Sequence, residues 1–236
     1  MTASRCLTLT AALSLVGTAC FDPTDYDDLA TASRVLRVDK DTLTAPADGA
    51  TLTDVGASLP ANASPDRRSV SVATTLGIFE SGGQSGTVTA DSVGHVLVRL
   101  RSPIDTGTAR VRLTAGGVTR EIIVKFARAY PTSVLVDLAK FAVPATATDE
   151  VTVTAILRRS AGTPTRGTPV TFTAPLGRFA IATVSDDKGM ATIRFSPGAA
   201  AAPGSYTITA TAPKSDQQED TVRGQAVLEV IAPPDK

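Results

Sequence analysis

Asp91-Ser92-Val93-Gly94-His95-Val96-Leu97-Val98-Arg99-Leu100 and Asp186-Asp187-Lys188-Gly189-Met190-Ala191-Thr192-Ile193-Arg194-Phe195 are the stretches that decide the fold. Each opens on Asp-x-x-Gly, in which the Asp carboxylate can accept backbone hydrogen bonds and the Gly can take a positive φ, the chemistry of a tight turn. Each then alternates with period two, as in Val96, Val98 and Leu100 against Leu97 and Arg99. A strand with one face on a core and one in solvent reads in this way.

The neighbouring stretches repeat as well. Leu76-Gly77-Ile78-Phe79 precedes the first stretch, and Leu176-Gly177-Arg178-Phe179 precedes the second. Gly107 to Ala115 follows the first, and Gly204 to Ala212 follows the second. Further alternating runs lie at Val35 and Val38, at Leu52, Val55 and Leu59, at Val70 and Val72, at Val111 and Leu113, and at Ile122, Val124 and Phe126. Arg110 and Arg112 fall on the outward phase of their strand, as a two-layer sandwich requires. No long stretch carries a helical period. An offset near a hundred residues means duplicated domains instead of a solenoid of short repeats.

The 236 residues suit two sandwiches of roughly 100 residues each. Lys plus Arg and Asp plus Glu both number 23, which gives no whole-chain reason to expect a nucleic-acid partner. Trp is absent, and Val, Thr and Ala dominate, with 18 Gly and 15 Pro as punctuation. The two cysteines, Cys6 and Cys20, leave the body of the chain without disulfide or zinc-knot chemistry.

The N-terminus reads as an export signal. Arg5 is the one charge in residues 1–19, the apolar run Cys6 to Val16 is too short to span a bilayer, and Gly17-Thr18-Ala19 leads into Cys20. This resembles the lipobox of bacterial lipoproteins, although Gly17 stands where that family prefers Leu. The resemblance implies cleavage before Cys20, acylation of its thiol and anchorage by the acyl chains. Each buried methylene then contributes about 0.8 kcal/mol. Phe21 in place of an Asp after the cysteine implies sorting to the outer membrane. The competing reading is a plain secretory signal with Cys20 incidental. Residues 20–32, with Asp22, Asp25, Asp27 and Asp28, read as a solvated acidic tether; they lack the glycine and distal Glu of an EF-hand loop.

No arrangement of residues suggests an active site. His95 is the only histidine. Asp91, Ser92 and His95 sit too close together along one turn and strand to form a Ser–His–Asp line. Asp186 with Asp187, and Asp149 with Glu150, are sequence neighbours and not carboxylates flanking a scissile bond. The glycines 82, 83 and 86 lack the lysine of a phosphate loop. Arg67-Arg68 and Arg158-Arg159 read as solvated strand ends. No catalytic residue, metal or cofactor is expected.

Taken in order, Pro46-Ala47-Asp48-Gly49, Leu76-Gly77-x-Phe79, Thr89-Ala90-Asp91-x-x-Gly94 and Gly107-x-Ala109-x-Val111 resemble the group 1 bacterial Ig-like repeats of the invasin and intimin adhesins. The second unit keeps Val170-Thr171-Phe172-Thr173, Leu176-Gly177 and Asp186-x-x-Gly189-x-Ala191 but lacks the Pro-Ala-Asp-Gly entry. The resemblance implies an all-β chain of two tandem Ig-like β-sandwiches after a lipoprotein signal peptide. The expected segments are the signal at 1–19, the acylated Cys20 and tether at 20–32, domain 1 at 33–127 and domain 2 at 128–236. The expected role is a structural spacer or a protein-interaction and adhesion module of the cell envelope, with a protein partner and no catalysis. A polysaccharide-binding module and an accessory subunit of an envelope assembly are the alternatives. The candidate contact surfaces are the loops 80–86 and 196–204 and the free strand edges.

Overall fold

A computed structural model of the protein describes residues 35–146, 148–217 and 219–233. The signal, Cys20 and the acidic tether lie outside the described residues. Among the described residues, nine strands form the first half: β1 (Arg37–Val38), β2 (Thr42–Ala47), β3 (Leu52–Ser58), β4 (Ser69–Thr74), β5 (Ile78–Phe79), β6 (Ser85–Thr89), β7 (His95–Arg101), β8 (Gly107–Ala115) and β9 (Val118–Arg128). Nine form the second: β10 (Ser133–Leu138), β11 (Ala142–Pro144), β12 (Val151–Arg158), β13 (Pro169–Thr173), β14 (Arg178–Phe179), β15 (Thr183–Val184), β16 (Met190–Ser196), β17 (Gly204–Pro213) and β18 (Thr221–Ile231).

The two halves have one topology. The first stacks a sheet of order β1-β3-β7-β5 on one of order β2-β9-β8-β4-β6. The second stacks β10-β12-β16-β14 on β11-β18-β17-β13-β15, the same order strand for strand. In each half one pairing is parallel, β2 with β9 and β11 with β18, and the rest are antiparallel. The alternation seen in the sequence is the burial pattern: Val96, Val98 and Leu100 are buried while His95, Leu97, Arg99 and Arg101 are exposed. Each half has its own apolar core. The first runs from Leu36 to Phe126 and the second from Val134 to Val230. Val and Ala fill much of both cores, and aromatic rings cluster in the second, where Phe179 lies 4.9 Å from Phe195 and 5.9 Å from Phe172, centroid to centroid.

The Asp-x-x-Gly turns are duplicated in atomic detail. Asp91 Oδ1 accepts the backbone N–H of Val93 (3.0 Å) and of His95 (2.8 Å). Asp186 Oδ1 accepts those of Lys188 (2.9 Å) and Met190 (2.8 Å). Gly94 and Gly189 have φ of 86° and 76°, and each turn is pinned to the facing strand end through Leu59 N–H to Gly94 O and Leu157 N–H to Gly189 O, both 2.8 Å. A Cβ at position 94 would stand 2.5 Å from the Leu59 carbonyl oxygen, so the close approach and the positive φ both require glycine.

Several sequence expectations need correction. Leu59 lies just past the end of the strand that starts at Leu52. Val35 lies ahead of the first strand, which begins at Arg37. The stretch Thr42–Ala47, not singled out by alternation, is a strand because β9 offers it a parallel edge. Residues 85 and 86, expected in a loop, open strand β6.

Candidate functional site

The residues with apparent catalytic character do not converge. Asp91 is occupied as the acceptor of its own turn, and Ser92 is exposed in that turn. The His95 Nε2 atom lies 3.6 Å from Asp39 Oδ2, with both side chains about half exposed. Asp186 repeats the role of Asp91. Asp149 Oδ2 accepts the Thr146 hydroxyl (2.6 Å), and Glu150 faces Arg194 (3.4 Å) on the surface. Among the described residues no group of three or more His, Cys, Asp and Glu side chains is placed to hold a metal. The outward arginines are matched by acids: Arg110 and Arg112 both bond Glu121, which holds its carboxyl below the usual range, and Arg99 lies near Asp54 and Glu80.

The polar chemistry of the molecule is concentrated instead at the joint between the sandwiches. On one side are the turn after β2, the loop after β7 and the end of β9. On the other is the segment from Arg159 to Thr168, between β12 and β13. Thr165 is its centre. Its hydroxyl accepts the Ala129 N–H (2.7 Å) and donates to the Ala47 carbonyl (2.7 Å), and its own N–H donates to Ala129 O (3.0 Å). Its carbonyl in turn accepts the Thr168 hydroxyl (2.7 Å). Thr165, Thr168 and Ser185 are all buried. Thr163 N–H donates to Asp48 O (2.9 Å), and Arg166 N–H donates to Ile104 O (3.3 Å).

Asp48 is the charge inside this joint, 1% exposed. A buried carboxylate needs hydrogen-bond donors or a counter-charge to offset its desolvation. Asp48 has both: Oδ1 accepts the N–H groups of Ala50 (3.0 Å) and Thr51 (2.8 Å), Oδ2 accepts the Thr51 hydroxyl (2.7 Å), and Arg159 Nη2 of the second sandwich lies 3.9 Å from Oδ2. Arg159 also donates to Tyr130 O (3.1 Å). It was expected as a solvated strand end; its side chain is only 20% exposed because it closes the joint. Gly162 makes the approach feasible, since a Cβ there would stand 2.7 Å from Asp48 O. At the rim Arg166 forks onto both oxygens of Asp105, and the Tyr130 hydroxyl donates to Asp216.

The Pro-Ala-Asp-Gly motif thus has a physical reading. Pro46-Ala47 ends β2, and Asp48 opens the turn to β3 that packs against the second sandwich. At the matching place, β11 ends on Pro144 and continues into Ala145 and Thr146, with Thr in place of Asp. Thr146 there bonds locally to Asp149. The sequence signalled Asp48 only as part of a motif. Gly162, Thr163 and Thr165 carried no signal, because a polar loop residue looks the same whether water or another domain covers it.

With this geometry in place, the likeness to known proteins is specific. Residues 133–225 match the model of the bacterial Ig-like domain (group 1). The second sandwich is thus similar to the group 1 bacterial Ig-like domains. The first shares that Ig-like topology strand for strand. Among solved structures, invasin, described as a bacterial integrin-binding protein, is similar with a TM-score of 0.61 at 17% identity, covering 84% of this chain and 39% of invasin. The Yersinia pseudotuberculosis adhesin InvE is similar with a TM-score of 0.48 at 16% identity, covering 82% of this chain and 58% of that one. The chain therefore spans well under two thirds of the length of either protein. None of the curated proteins matches it in sequence. At these identities the likeness concerns the Ig-like fold.

Proposed function

We propose that the chain is an exported lipoprotein, held by acyl chains on Cys20 at the outer membrane. In this reading its two Ig-like domains act as a stiff spacer and protein-contact module, with no chemical turnover. The observation that carries the spacer reading is the buried joint. Thr165, Asp48 and Arg159 tie the sandwiches together through groups shielded from water, where hydrogen bonds resist exchange with solvent. Domains joined only by an exposed linker would move independently. An adhesion role draws on the kind of protein that shares the fold, and fold alone does not assign function. The partner is expected to be a protein, since sugar sites favour exposed aromatic faces and the chain has no Trp.

The test is membrane fractionation together with the mass of the mature N-terminus, for wild type and Cys20→Ser. The expected result is an acylated N-terminus at residue 20 and loss of the membrane-bound fraction in the variant. An unmodified wild-type chain starting elsewhere overturns the anchor. Crosslinking and recovery from native membranes then addresses the contact role: a protein partner supports it. Turnover of an envelope polymer by the purified chain overturns the reading.

A further inference from the structure

The sheet edges of this molecule are not treated alike. Strands β1, β5, β14 and β15 have two residues each, too short to template another strand. Edge strand β11 has three and ends on Pro144, and β2 carries Pro46, which offers no N–H. Strand β10 lies against β18 so closely that a Cβ at Gly224 would stand 2.4 Å from the Val134 carbonyl oxygen. Short length, proline and cover are the usual means of closing an edge. Strand β6 has none of them. It is five residues long, Ser85-Gly86-Thr87-Val88-Thr89, with no proline and no charge, and all but Val88 are exposed. Its counterpart in the second sandwich, β15, is cut to two residues.

The register shows which groups of β6 are free. Thr74 N–H donates to Gln84 O and Ala90 N–H donates to Arg68 O, at the two ends of the β4–β6 ladder. Hydrogen-bonded pairs alternate in an antiparallel ladder, so Gly86 and Val88 also turn their backbone groups toward β4. Ser85, Thr87 and Thr89 turn theirs outward.

We propose that β6 is a self-association edge that pairs antiparallel with β6 of a second copy of this chain, on a two-fold axis at Thr87. In that register Thr87 exchanges both backbone hydrogen bonds with its own copy, and Ser85 exchanges both with Thr89 on either side. Val88 faces Gly86. Val88 is partly buried against the core, while nothing stands within 4 Å of a Cβ at Gly86, so each copy's Val88 finds space at the other's glycine. On the outer face, hydroxyl meets hydroxyl, a favourable cross-strand pairing. The charges point to a second copy. No charged residue occurs from Ser81 to Ala90, and in this register the flanking Glu80 and Asp91 fall opposite Gly94 and Gly83. A two-fold pairing therefore sets no acid against an acid, and the surface is isologous as a dimer requires. The pairing goes beyond the spacer reading and does not depend on how the chain is held in the envelope.

Disulfide trapping tests it, because opposed Cα atoms about 5.5 Å apart are within reach of a bridge. Thr87→Cys is placed in the full chain carrying Cys6→Ser and Cys20→Ser, with Thr207→Cys, exposed mid-strand in the second sandwich, as the control. In a glutathione buffer Thr87→Cys should form disulfide dimer at least roughly tenfold faster than the control, reflecting a raised effective concentration. Equal rates overturn the proposal. Sedimentation of Thr87→Lys and Thr87→Glu, alone and mixed, adds a readout that loss of folding cannot imitate. Each alone should associate less than wild type, and the equimolar mixture should recover association. Unchanged association in each variant, or no recovery on mixing, also overturns it. Trapping of Thr87→Cys with a foreign envelope protein in preference to its own copy would assign the edge to another partner and refute the self-pairing.

Discussion

Thr165→Val isolates the joint from the two cores. Valine keeps the branched shape and deletes the hydroxyl that links Ala129 N–H to Ala47 C=O. Losing the acceptor of a buried N–H costs about 1–3 kcal/mol, and the donated bond adds roughly 0.5–1.5 kcal/mol. The expected loss is therefore about 2–4 kcal/mol of total unfolding free energy. It falls on the coupling between the sandwiches, because Thr165 belongs to neither apolar core. Urea denaturation followed by circular dichroism should show wild type unfolding in one transition, and Thr165→Val with a lower first midpoint and separated transitions. Thr165→Ser, which retains the hydroxyl and loses a methyl, should cost only about 1 kcal/mol. Unfolding of Thr165→Val at the wild-type midpoint, or equal destabilisation by Ser and Val, would show that the hydroxyl does not hold the joint.

Three other perturbations probe separate parts of the molecule. The hydrogen bonds from Arg110 and then Arg112 lower the Glu121 pKa, so its contribution is present above the ordinary Glu pKa and lost as pH falls through the depressed value. Acid titrations of Tm should therefore show a shallower acid limb for Glu121→Gln than for wild type. The bond to Asp216, with some burial, raises the Tyr130 pKa; its contribution is present below the ordinary tyrosine pKa and lost as pH rises through the raised value. Ultraviolet titration should show a phenol ionising above the ordinary tyrosine range in wild type and missing in Tyr130→Phe. Phe172→Ala empties a buried position beside Phe179 and should cost about 3–5 kcal/mol in chemical unfolding; a loss near zero would contradict the inward phase of β13.

Most of the fold is legible in the sequence, for a physical reason. Period-two alternation records burial directly, and Val70, Val72, Val111, Leu113, Ile122, Val124 and Phe126 all face the core as their phase implies. Asp91 with Gly94, and Asp186 with Gly189, are legible because few residue types perform that turn. Strand β2 is less so: Thr42-Leu43-Thr44-Ala45-Pro46-Ala47 has small residues, a proline and only one large apolar side chain. The joint is the least legible part. Its contacts run between backbone groups and short polar side chains far apart in sequence, such as Thr165 with Ala47, and nothing in local composition marks Thr165 as buried. Arg159 shows the same limit, since a guanidinium at a strand end looks solvated until the Asp48 carboxylate is placed beside it.

The joint built on Thr165, Asp48 and Arg159 should make the two Ig-like domains one stiff body. Spin labels at Ser71 and Thr207, exposed mid-strand positions of the first and second sandwich, report it directly by pulsed electron paramagnetic resonance. A single narrow distance distribution is expected in wild type, broadening in Thr165→Val. A distribution already broad in wild type, and unchanged by that substitution, would contradict it.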